Sequence, residues 1–266
     1  MRKYLTVFGL SFQNEFTYRL NFVLWRFRNV LRILMTFFLW NSIFSKNSIA
    51  FGYSKEQMMS YVFLVLIIGT FVIASPSNDN IGGEIGSGDL SNFLIKPISY
   101  LRYWFTRDWA SKLLNIVFAV FEITILYLIL KPSLFITVSS TAIFLGIIMG
   151  LVASLIYFFI TKLATFVAFW SPENTWGMMF LFLVIFEILS GSIFPLDILP
   201  KWSITLLQFT PFPYMVYYPL GILIGKFSSV ETLRLIFQSL AWLLISYWLT
   251  IKVWKRGLKE YSASGR

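Results

Sequence analysis

The sequence predicts an all-α membrane protein: six transmembrane helices, an interfacial helix at the N-terminus and an outer re-entrant helical segment, within one domain spanning residues 1–266.

 Three observations carry this. Of the 266 residues, 58% are hydrophobic and only 13% charged, where a soluble domain has about half and about a quarter. The apolar residues gather in runs of membrane-crossing length, which takes about 20 residues per helix. Phe, Trp and Tyr make up 20% of the chain, which suits a protein with two lipid–water interfaces to anchor.

Residues 1–20 open the chain as the interfacial helix. Leu5, Phe8, Phe12, Phe16 and Leu20 recur every three or four positions and share one face, while Arg2, Lys3, Gln13, Asn14 and Thr17 fall elsewhere. A cytoplasmic extension of the first span fits the same pattern. No cleavable signal peptide is expected, since the first apolar run lacks a small-residue cleavage site.

The first span is expected from Phe27 to Ile49, with Arg26, Arg28 and Arg32 snorkelling at its start. The second runs from Met58 to Ser75 and ends at Pro76. A polar segment, 77–107, follows. It holds Asp79, Glu84 and Asp89, with Asp108 at its end, and Gly82, Gly83, Gly86 and Gly88 punctuate it. Further spans are expected at 109–130, 134–159, 176–193 and 233–253. Between the last two, residues 194–226 stay apolar but carry Pro195, Pro200, Pro211, Pro213 and Pro219. A straight span does not tolerate so many prolines. A re-entrant or interfacial pair of short helices fits, provided protein shields its backbone.

Net charge is +10, from 22 Lys and Arg against 12 Asp and Glu. The basic residues cluster at the ends of apolar runs, so topology and anionic membrane lipid account for them better than nucleic acid does. With both termini cytoplasmic, only Lys46, Lys55, Lys131, Lys201, Lys226 and Arg234 lie outside, leaving 22 − 6 = 16 basic residues inside. The 77–107 segment is then cytoplasmic and 194–226 faces out, in a multi-pass protein of the cytoplasmic membrane.

The chain has no Cys and no His, which removes thiolate chemistry, the commonest general base and the commonest metal ligand. No metal site is expected. No paired carboxylates stand in a catalytic setting, so an enzyme is a poor reading, although a Ser–Lys arrangement stays open. There is no Walker A sequence either, because Gly225-Lys226 lacks the upstream glycine and the following Ser or Thr. The chain itself is expected to bind no cofactor.

The stretch Ile85-Gly86-Ser87-Gly88-Asp89-Leu90-Ser91-Asn92-Phe93-Leu94-Ile95-Lys96-Pro97-Ile98 resembles the loop after the second span in the ABC-2 family of permeases. Gly191 to Leu196, then Leu199-Pro200-Lys201-Trp202, are similar to the family's outer element, and Pro211, Pro213 and Tyr214 to its later part. The order and spacing of these pieces carry the resemblance over nearly the whole chain. It implies a permease subunit of an ATP-binding cassette transporter, usually an exporter. Two permeases would pair, as a homodimer or with a related chain, and separate ATPase subunits using ATP and Mg would dock on the cytoplasmic loops. Gly88, Asp89, Leu90, Phe93, Leu94 and Pro97 would form the coupling element. A short helix over 88–96, stopped by Pro97, would bury Leu90, Phe93 and Leu94 in a cleft on the ATPase.

Glu122 and Glu187 fall inside predicted spans, where an acid is a functional candidate by default. Glu122 either lines a translocation path or pairs with Arg32 or Lys112. Glu187 is expected to face protein or a vestibule. Trp25, Trp40, Trp104, Trp109, Trp170, Trp176, Trp202 and Trp254 lie near span boundaries and read as interfacial belts. Gly146 and Gly150 form a small-xxx-small pair suited to close helix packing. The competing reading is a secondary transporter driven by an ion gradient, against which stand the missing inverted repeat and the small number of spans.

Overall fold

A computed structural model describes residues 2–17, 19–46, 48–75, 77–135 and 139–261. Pro76 and Arg266, together with the side chains of Phe16 and Asp79, lie outside the described residues. The fold is helical throughout, apart from a two-stranded antiparallel hairpin of β1 (Ile49–Ala50) and β2 (Tyr53–Ser54).

Helix α1 (Arg2–Thr17) packs along α6 (Tyr100–Leu130), and α2 (Arg19–Ile43) follows it. The expected interfacial helix therefore stops at Thr17, and Leu20 belongs to α2. The expected first span also ends early, at Ile43, because the chain turns into the hairpin before Ile49. Helix α3 (Lys55–Ile73) starts at a capping box, in which Ser54 Oγ accepts from the Gln57 N–H and the Gln57 side chain accepts from the Ser54 N–H.

The 77–107 segment is not an irregular loop. It contains α4 (Ser77–Gly86), α5 (Leu90–Leu94) and the first turns of α6. Three of the glycines read as punctuation lie within α4. The small residues serve packing there: a Cβ on Gly82 would stand 2.1 Å from a Thr175 side-chain carbon. Helix α6 ends at Lys131, which takes a left-handed conformation before Pro132.

Helix α7 (Ser140–Thr165) begins at Ser139, whose hydroxyl accepts from the Ala142 N–H, and runs into a tight turn at Phe166–Phe169. A second tight turn, Pro172–Asn174, leads into α8 (Thr175–Leu189). Residues 194–226 form only short pieces: the turn Leu196–Ile198, α9 (Lys201–Leu207), the turn Phe212–Tyr214 and α10 (Tyr217–Leu223). Pro195 and Pro200 precede the first two, and Pro211 starts the third, so the prolines sit at element starts where no backbone donor is lost. Helix α11 (Ser229–Glu260) opens on a second capping box, Ser228 with Glu231.

Among the described residues, five helical stretches are long and apolar enough to cross a membrane: Lys55–Ile73, Tyr100–Leu130, Ser140–Phe169, Pro172–Leu189 and Ser229–Glu260. They overlap the second to sixth expected spans. Helix α2 is long enough, since 25 residues rise about 37 Å, but Arg26, Arg28 and Arg32 fall within every 18-residue stretch of it, so it has no stretch as sparsely charged as those of the other five.

Three apolar clusters hold the bundle together. The largest joins α3, α7, α8, α10 and α11. Helix α10 is its centre, with Tyr217 to Ile222 all buried, so protein surrounds this proline-flanked backbone. Gly146 lets α10 approach α7: a Cβ there would meet Leu223 Cδ2 at 2.5 Å. A second cluster joins α2, α3 and Leu126 of α6. The third ties Ile81 and Ile85 of α4 and Leu90 of α5 to Tyr100, Trp104 and the Phe166–Phe169 turn. Trp104 and Trp40 are buried in these clusters and are not belt residues, whereas Trp176 and Trp202 are exposed.

Candidate functional site

The segment from Gly88 to Pro97 projects from the end of the bundle where α4, α5 and the C-terminus of α11 meet. Gly88 turns the chain with φ +87°, a conformation that favours glycine. Asp89 precedes α5, but its carboxylate accepts from the Ser87 hydroxyl at 2.6 Å and caps no helix N–H. Leu90 is fully buried within this chain, so it is not available to a partner. This corrects the expectation that Leu90 docks, and the reason is local: α5 is only Leu90–Leu94, and its first residue points at Ile81 and Trp104. Phe93 is half-buried against Tyr100 and Tyr103, with ring centroids 5.4 and 5.2 Å away. Leu94 and Ile95 are 46% and 84% exposed, and Lys96 and Pro97 are exposed beside them. The outward apolar tip is therefore Leu94–Ile95, one residue later than expected.

Three other parts of the chain hold this tip. The Tyr261 hydroxyl donates to the Gly88 carbonyl at 2.6 Å and accepts from the Ser91 N–H at 3.2 Å. Lys3 Nζ donates to the Pro97 carbonyl, and the Ser99 N–H donates to the Tyr4 hydroxyl at 3.4 Å. The Tyr100 hydroxyl donates to Glu84 at 2.5 Å. Burial pushes the Glu84 carboxyl up, and the Tyr100 hydrogen bond opposes that shift.

The charges inside the bundle pair differently from expectation. Glu122 pairs with Arg26, not with Arg32 or Lys112: Arg26 Nε reaches Oε1 at 2.5 Å, and Nη1 also reaches Asn115 Oδ1 at 3.1 Å. Arg32 instead pairs with Glu187 at 2.9 Å. The first pair is enclosed, with side chains 7% and 14% exposed, whereas the second is open at 35% and 46%.

A further cluster escaped the sequence reading. Asp108, Lys112 and Lys162 are buried together at the root of the Gly88–Pro97 projection. Asp108 accepts from the Ser75 hydroxyl at 2.6 Å and lies 3.6 Å from Lys162. Lys112 donates to the Phe71 and Val72 carbonyls at 3.0 and 2.7 Å, in the last turn of α3. Its only signal in the sequence is Asp108 and Lys112 one helical turn apart beside an apolar run.

At the opposite end, Lys226 bonds to both Asp197 and the Tyr53 hydroxyl, and Tyr53 donates to Asp197 at 2.8 Å. This joins the hairpin, the Pro195-led turn and the connection between α10 and α11. Pro213 is buried in the neighbouring turn, where the Tyr214 hydroxyl donates to the Gln208 carbonyl at 3.0 Å.

No curated protein matches the sequence. The profile of the family described as "ABC-2 family transporter protein" matches residues 30–265, which takes in α3 to α11 and most of α2. A helical membrane protein with this projection and this match belongs to the ABC-2 family of transporter proteins.

Proposed function

We propose that the chain is the permease subunit of an ABC exporter in the cytoplasmic membrane, working with a second permease and with separate ATPase subunits that use ATP and Mg. Both termini and the Gly88–Pro97 projection face the cytoplasm in this reading, and residues 194–226 face out. The observation that carries it is the exposed Leu94–Ile95 tip on a braced root. An apolar tip on a rigid support is suited to receive force from a partner.

The buried Asp108–Lys112–Lys162 cluster supplies a route inward. It ties the last turn of α3 to α6 and α7, so displacement of the projection moves three helices together. The open Arg32–Glu187 pair supports a second permease. Ionic groups exposed to lipid are costly, and a partner subunit or a shared aqueous path would shield them.

The test is co-purification with a candidate ATPase, comparing wild type with Ile95→Asp and Leu94→Asp. Both substitutions should reduce recovery of the ATPase and its stimulated ATP hydrolysis, with the permease still folded. Unchanged assembly and hydrolysis in both would overturn the docking assignment.

A further inference from the structure

Helix α1 does not seal completely against α6. Tyr4, Arg102, Phe105 and Thr106 line an open cleft between the two helices. Its floor is aromatic at Phe105, and its rim carries the Arg102 guanidinium and two hydroxyls. Lys3 stands beside Tyr4 at the same end of α1.

The charge here is unbalanced. Among the described residues, the salt bridges engage Arg26, Arg32, Lys162 and Lys226, and none engages Arg2, Lys3, Lys96 or Arg102. Leu5, the residue after Tyr4 on α1, is 71% exposed. Cationic and hydroxyl groups beside the Phe105 ring and an exposed Leu5 match a ligand that is anionic at one end and apolar at the other.

We propose that this cleft binds the phosphate-bearing headgroup of an anionic glycerophospholipid, with Arg102 on the phosphate and the acyl chains along Phe105 and Leu5. An acidic protein surface would satisfy the charge but leave Phe105 and Leu5 uncovered. Because Lys3 and Tyr4 also hold Pro97 and Ser99, an occupied cleft would steady the projection from behind.

The test titrates the full-length chain, in nonionic detergent, with dioctanoyl phosphatidylglycerol and counts bound lipid by native mass spectrometry. Arg102→Gln should weaken binding about fivefold, the contribution of one basic residue near a membrane surface. Arg102→Lys should retain most of it. Lys131→Gln, an exposed basic residue at the other end of α6 from Arg102, should leave it unchanged. If Arg102→Gln does not fold, Lys3→Gln should show the same direction. Equal binding of dioctanoyl phosphatidylcholine, equal loss in Lys131→Gln, or undiminished binding in the cleft variants would overturn the proposal. Displacement of the lipid by inorganic phosphate at matched concentration would make the cleft a free-anion site, and displacement by polyglutamate would make it a protein contact; either result also overturns it.

Discussion

Arg26 and Glu122 form a two-pronged pair inside the bundle, with Nε and Nη2 of the guanidinium each 2.5 Å from a different carboxylate oxygen. The two residues lie on α2 and α6, and Asn115 takes a third guanidinium nitrogen. This pair explains how α2 carries arginine into an apolar setting: the charge is met by protein.

Removing one member should therefore cost more than removing both. Arg26→Gln leaves the Glu122 carboxylate enclosed without its counter-charge and should destabilise by about 3–5 kcal/mol. The double substitution Arg26→Met with Glu122→Leu should come much closer to wild type. Thermal unfolding of the detergent-solubilised protein checks both, and a double variant as unstable as Arg26→Gln would contradict this account.

The Asp197–Lys226 pair should behave differently, because both side chains are 27% exposed. Asp197→Asn should cost no more than about 1 kcal/mol, as for other partly exposed pairs. The effect should shrink as salt rises from low to molar concentrations, whereas that of Arg26→Gln should not.

Tyr261 fastens the end of α11 to the projection through its hydroxyl. Tyr261→Phe keeps the ring but removes the hydroxyl, at a cost of about 1 kcal/mol. Amide exchange across Gly88–Lys96 should accelerate, and exchange in α7 should not. Unchanged protection of the projection would mean that Leu90, Phe93 and the Lys3 contact hold it without the Tyr261 hydroxyl.

Gly146 sits where α10 meets α7, with Leu223 at 2.5 Å from a built Cβ. Gly146→Ala should destabilise by about 1–3 kcal/mol through overpacking. Adding Leu223→Ala should recover part of that loss, since the obstructing side chain is then gone. Failure of the second change to help would place the strain elsewhere. The melting temperatures of the two variants decide it.

The sequence by itself determined that the chain is a helical membrane protein of the ABC-2 type. Long apolar runs must become helices in lipid, because every backbone polar group needs a partner within its own segment. The same local logic placed the prolines of 194–226 outside any long helix, and they stand at the starts of short ones. The motif from Ile85 to Ile98 was also legible, because it is continuous in the chain.

Only the tertiary structure decided which residues meet. The sequence offered Arg32 or Lys112 as partners for Glu122, and the packing of α2 against α6 and α8 gave it Arg26 and sent Arg32 to Glu187. Leu90 and Ile95 look alike in the motif, yet Trp104 and Ile81 close over one while the other stays exposed. Partner choice and side-chain direction depend on how distant helices pack, and that information is spread over the whole bundle and carried by no single segment.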